Sequence, residues 1–149
     1  MPRLRLLPVT MGFTLAAGIA AAAVARADDQ DVIDYRVHIM KTMGEEVAAI
    51  NLILKSEAPT ESFATHVKIL AVTAQTAKKA FEAEVVGVHA KPAIWANWSD
   101  FAKRLDELQA ATAELAKVAE TGGVTAAGPK VQAALTCKSC HDLYRVPKS

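Results

Sequence analysis

WSDFAKRLDELQAATAELAKVAETGG, residues 98–123, decides the fold. Its apolar or small residues Trp98, Phe101, Leu105, Leu108, Thr112, Leu115 and Ala119 recur every three or four positions, while Lys103, Asp106, Glu107, Glu114 and Lys117 fall between them. That spacing predicts an amphipathic helix with one buried stripe. Gly122-Gly123 ends it, glycine being favoured just past a helix terminus. Towards the N-terminus, Gly87, Lys91 and Pro92 mark a long connection. Before that lies a second stretch opening at Thr60 or Glu61, with Phe63, Val67, Leu70, Ala74, Ala77, Phe81 and Val85 on one face. Ser56, Pro59 and Thr60 separate it from a first stretch, about Asp31 to Lys55. There Ile33, Val37, Met40, Gly44, Val47, Asn51 and Leu54 form a heptad-like stripe. Towards the C-terminus, Gly128-Pro129 reopens a fourth stretch that runs to about Tyr144 and is closed by Pro147. No stretch alternates with period two and no hairpin dipeptide occurs. Four helices with short joints predict an all-α, antiparallel four-helix bundle.

Composition agrees. Of 149 residues, 52% are hydrophobic, 22% charged and only 5% aromatic, which suits an alanine-rich helical domain and neither a disordered chain nor a β-sandwich. A formal net charge of +1 lacks the basic excess of a nucleic-acid binder. Residues 1–27 read as a secretory signal peptide. Arg3 and Arg5 precede the uncharged, Ala-rich run Val9–Val24, and Ala25-Arg26-Ala27 supplies a small-x-small cleavage site. Cleavage leaves residues 28–149 as one domain; losing Arg3, Arg5 and Arg26 moves the formal charge from +1 to −2. Export of this kind places the chain in the bacterial periplasm, with no membrane insertion after cleavage.

Chemistry concentrates near the C-terminus. The two cysteines are Cys137 and Cys140, and His141 follows directly. This is the C-x-x-C-H haem-attachment signature. On a helix, positions i, i+3 and i+4 share a face, so two sulfurs and an imidazole address one object. The thiols can add to the two vinyl groups of one haem c, and His141 is then carried beneath the iron as an axial ligand. A thioredoxin-like pair would need a βαβ setting, and a zinc site would need a fourth ligand that no second Cys or His pair supplies. A Cys137–Cys140 disulfide would close a tiny loop and contribute little. No Ser-His-Asp set, HExxH pair or phosphate loop is present, so no enzyme activity is expected.

With these residues in place the chain resembles the class II c-type cytochromes, the cytochrome c prime family, over essentially all of residues 28–149. The likeness rests on Cys-Lys-Ser-Cys-His-Asp-Leu-Tyr-Arg (137–145), similar to the family's C-x-x-C-H-x-x-[FY]-R ending, on Tyr35-Arg36-x-x-x-Met40, and on Lys91-Pro92-Ala93-Ile94-Trp95. It implies the bundle fold and one covalent haem. Within the family, cytochrome c prime carries a non-ligand four residues after the helix-one arginine and a five-coordinate iron that binds nitric oxide or carbon monoxide. In the low-spin branch, a helix-one methionine is the sixth ligand. Met40 at Arg36 + 4 resembles the low-spin branch, giving His141 and Met40 as axial ligands and a mono-haem electron carrier with periplasmic redox proteins as partners. Homodimers, frequent in the family, stay open.

The residues themselves support Met40 less sharply. It lies on the expected inward stripe, with Gly44 one turn later allowing close approach of a macrocycle. Met43 is the competing candidate, and both methionines could be core fillers. Arg36, one turn before Met40, has the donor fork to reach a haem propionate, the alternative being a solvated surface charge. Tyr144, Trp95, Trp98 and Phe101 are expected as wall and core, and His38 as exposed. The alternative function is a gas-binding haem protein with an open distal side.

Overall fold

Asp28 opens the first helix with a reciprocal cap. Its carboxylate accepts the Asp31 backbone N–H at 2.9 Å, and Asp31 returns the favour by accepting from the Asp28 N–H at 3.3 Å, so two of the free donors at the helix start are satisfied. The structure is a computed structural model and describes residues 28–147; the expected signal peptide, 1–27, lies outside the described residues. The helices are α1 (Asp29–Leu54), α2 (Phe63–Ala80), α3 (Ala93–Ala96), α4 (Trp98–Ala127), α5 (Val131–Ala134) and α6 (Cys137–Tyr144), with single 3-10 turns at Thr60–Ser62 and Gly128–Lys130. The described residues form no strand, only two isolated backbone bridges, and the four-helix bundle expected from the periodicity is the architecture found.

α1 lies on α2, α2 on α4, and α4 on the segments that follow it, α6 included, while Leu54 of α1 reaches Gly128 at the start of the fourth stretch. Phe63, Ile50, Leu70, Ile94 and Val67 are fully buried at the centre. Each such side chain contributes about 1.5–3 kcal/mol relative to exposure, which outweighs the modest intrinsic propensities of these helices. Among the described residues no buried side-chain N or O lacks a hydrogen-bond partner.

Three details differ from expectation. The second helix stops at Ala80 rather than near Val85, and residues 81–92 form a connection without regular helix. Gly122-Gly123 does interrupt the third stretch: Gly123 has φ 57° and ψ −155°, outside helical geometry, yet helical residues resume and continue to Ala127. The fourth stretch is not one helix. It is a turn at Gly128–Lys130, a short α5, a break at Leu135–Thr136 and then the eight residues of α6.

The inward stripe of α1 also lies one step around from the one predicted. Arg36, Ile39, Met43, Ile50 and Ile53 are buried, whereas Val37, Gly44, Asn51 and Leu54 are exposed. Two adjacent apolar lines compete on this helix, and the one carrying three isoleucines buries more surface. Counting Arg36 as polar hid that line, because its first member is charged.

Candidate haem site

Cys137, Cys140 and His141 all lie on α6, at the i, i+3, i+4 spacing that shares one helix face. Both cysteines are free thiols, Cys137 exposed and Cys140 partly buried. Desolvation pushes both thiols above their ordinary range; Arg104 pulls the Cys140 thiol the other way. The His141 imidazole is half-buried and its pKa is lowered, first by desolvation and then by Arg145, with Asp142 opposing. A neutral imidazole is the form that binds metal. Two adjacent free thiols and a neutral imidazole on one face fit a covalently tethered haem. Among the described residues there is no cluster of three or more His, Cys, Asp or Glu suited to a bare metal ion.

α6 is held mainly through its last turn. Tyr144 is its one buried residue. The phenol ring meets Phe101 edge-on at 5.1 Å, and the hydroxyl donates to Asp100 Oδ2 at 2.6 Å. The same carboxylate oxygen accepts from Arg104 Nε at 2.6 Å. Lys91 finishes the helix: its backbone N–H donates to the Tyr144 carbonyl at 3.0 Å, and Nζ donates to the carbonyls of Asp142 and Leu143 at 3.2 Å. A lysine satisfying terminal carbonyls suits the negative end of a helix. Arg145 follows in an isolated bridge to Ala90.

The α1 candidates separate clearly. Met43 is 8% exposed and belongs to the core. Met40 is partly buried against that core, and one turn on, a Cβ added at Gly44 would meet nothing within 4 Å. Arg36 is not the solvated charge allowed for above, being 4% exposed. Nor is a propionate contact what its geometry displays. Its Nε donates to the Ala80 carbonyl at 2.7 Å, and its two terminal nitrogens donate to the carbonyls of Val85 and Ala83. The guanidinium also lies 5.0 Å from the Phe81 ring centre and 5.2 Å from that of Trp95, and burial lowers its pKa. Arg36 therefore clamps the end of α2 and the connection after it onto α1.

Phe101 and Tyr144 are core, Trp95 and Trp98 are partly buried walls, and His38 is exposed, as the sequence predicted. Sequence reasoning missed Asp100, Arg104 and Lys91 as supports of α6. The Asp100/Arg104 spacing of four was readable as a helical ion pair; their convergence on Tyr144, 44 residues away, was not.

Residues 31–145 match the sequence-family model described as Cytochrome C'. A cytochrome c' of Rhodospirillum rubrum is 33% identical over 136 residues, covering 88% of this chain and 92% of that protein. A cytochrome c-556 of Agrobacterium tumefaciens is 35% identical over 123 residues, covering 78% and 98%. Among solved structures, the nitric oxide complex of a cytochrome c prime variant from Alcaligenes xylosoxidans superposes with a TM-score of 0.71 at 26% identity, covering 83% of this chain and all of that one. A carbon monoxide-bound variant of the same protein gives 0.70 at 26%, covering 81% and 98%. These relatives do not single out the low-spin Met/His branch expected from Met40, and that finer assignment is withdrawn as a statement of family. The chain belongs to the cytochrome c prime family, mono-haem c-type cytochromes with a covalently attached haem.

Proposed function

We propose that this chain is a periplasmic haem protein that reversibly binds a diatomic gas of the nitric oxide or carbon monoxide type, and that it is not a turnover enzyme. The observation that carries the reading is the likeness, across the described bundle, to cytochromes c prime solved with those two ligands. In this reading Cys137 and Cys140 hold the haem through two thioethers and His141 is its proximal ligand. A haem held by these residues would supply an iron able to bind the gas. The chain's own contribution is to hold α6, and with it Cys137, Cys140 and His141, steady through Tyr144 and Lys91. Residues 1–27 act as the export signal. In support, the cap of α1 begins at Asp28, directly after the proposed cleavage point, and no described helix is long and apolar enough to cross a membrane.

A second reading, electron transfer to periplasmic redox proteins with Met40 as sixth ligand, has one observation in its favour. Of the two helix-one methionines only Met40 keeps surface outside the core. A Met/His pair would raise the reduction potential and close the iron to gases. The deciding experiment is a carbon monoxide titration of the reduced holoprotein together with a ferric optical spectrum. Gas binding predicts a saturable Soret shift and a high-spin ferric form. A methionine–iron charge-transfer band with no response to carbon monoxide would overturn it and install Met40.

A further inference from the structure

An eight-residue helix is too short to be stable by itself, so whatever docks α6 also decides where its thiols and imidazole point. Its first turn offers little grip. Thr136 makes no side-chain cap, and Cys137, Lys138 and Ser139 are exposed. The ion pair Lys138–Asp142 stays within the helix and ties it to nothing else. The grip is at the other end, where Tyr144 is inserted against Phe101 and bonded to Asp100. The backbone contacts of Lys91 fix the height of that end. They engage carbonyls, which point along the axis, and so constrain rotation of α6 about its axis poorly. Tyr144 is the side chain that constrains rotation, since its ring and hydroxyl are held at two points off the axis. Arg104, donating to the same Asp100 oxygen, keeps the acceptor ionised and aimed.

We infer that Tyr144, with Asp100 and Arg104 behind it, is a positioning cluster that sets the rotation of α6 and through it the orientation of the His141 imidazole. Tyr144 lies three residues after His141 on a helix of fixed pitch, so a turn of α6 about its axis moves both together. Loss of the hydroxyl bond leaves the ring on Phe101 as the only remaining hold of the cluster, so α6 turns more against the rest of the bundle, within the limits its haem linkages allow, and the imidazole samples a wider range of orientations. The inference rests on the reading that Cys137, Cys140 and His141 hold the haem.

The test compares holoproteins of wild type, Tyr144→Phe and Asp100→Ala with Asp106→Asn as control. Asp106 pairs with Lys78 across α2 and α4, so its loss removes an ion pair from the same helix without touching α6. Resonance Raman of the ferrous proteins reads the iron–histidine stretch, a signature of imidazole orientation and strain. Tyr144→Phe and Asp100→Ala should broaden or split that band at unchanged haem stoichiometry, while Asp106→Asn should leave it as in wild type. A single unshifted band in both α6 variants would overturn the positioning role, as would equal broadening in the control. Should Tyr144→Phe fail to accumulate, Asp100→Ala alone decides, because it removes the hydroxyl's acceptor and leaves the aromatic packing intact. Wild-type protein without covalent haem by pyridine haemochrome would overturn the underlying reading as well, and is distinguishable because it appears before any variant is compared.

Discussion

Arg36 shows how a single side chain can carry a role that its sequence neighbours do not reveal. Its position one turn before Met40 was visible, and so was its capacity for several directed hydrogen bonds. The acceptors were not, because Ala80, Ala83 and Val85 lie 44 to 49 residues on and contribute backbone carbonyls, which carry no sequence signal. A cation at 4% exposure persists because three carbonyls and two aromatic faces replace its water. Cys137, Cys140 and His141 were the opposite case: their spacing within one helix is local, and local spacing survives into the fold. Replacing Arg36 with methionine keeps length and apolar packing but strands those carbonyls. With hydrogen bonds to charged groups at about 1.5–3 kcal/mol each, and some rescue by water at exposed Ala83, Arg36→Met should cost about 2–4 kcal/mol. Urea unfolding of the holoprotein measures this. A cost below about 1 kcal/mol would mean that the clamp is incidental.

Helices with a repeating stripe and a clear stop were legible; helices defined by what they pack against were not. α2 and α4 announce themselves through Phe63–Ala77 and Phe101–Ala119. The short α3 and the division between α5 and α6 arise from tertiary fit, which no local propensity encodes. Gly122-Gly123 predicts a helix end, and the structure places a kink at Gly123 between two helical runs. Its φ of 57° and ψ of −155° fall in a region essentially reserved for glycine. A Cβ there would meet no heavy atom within 4 Å, so steric clash with neighbours is excluded and only backbone strain remains. Gly123→Ala should therefore destabilise the protein by about 1–3 kcal/mol, readable as a lower urea midpoint with an unchanged slope. At Gly122 a Cβ would come within 2.4 Å of the Ala126 Cβ, so alanine there should cost through contact rather than conformation. A Gly123→Ala protein as stable as wild type would show that the two runs can join without this kink.

The helices associate mainly through neighbours, α1 with α2 and α2 with α4, while α6 packs on α4. This order explains why the bundle class followed from four amphipathic stretches while the site did not. Periodicity says that each helix has a buried face, but not which pair of helices meets a cofactor instead of another helix. It also ties haem attachment to stability. A haem bonded to Cys137 and Cys140 on α6 would pack against the helices around it. It would cover partly buried apolar groups that the helices alone leave half in water. At about 25 cal/mol per Å2 of apolar surface covered, a gain of at least ~3 kcal/mol is reasonable, worth roughly 10 °C in melting temperature for a domain of this size. The doubly substituted Cys137→Ala/Cys140→Ala chain, purified without haem, should melt lower by about that margin. Each substitution is on a half-exposed or exposed residue, so it removes little packing by itself, and the single variants carrying one thioether should fall between. If the haem-free chain melted within a degree or two of the holoprotein, the haem would contribute little to holding the bundle together.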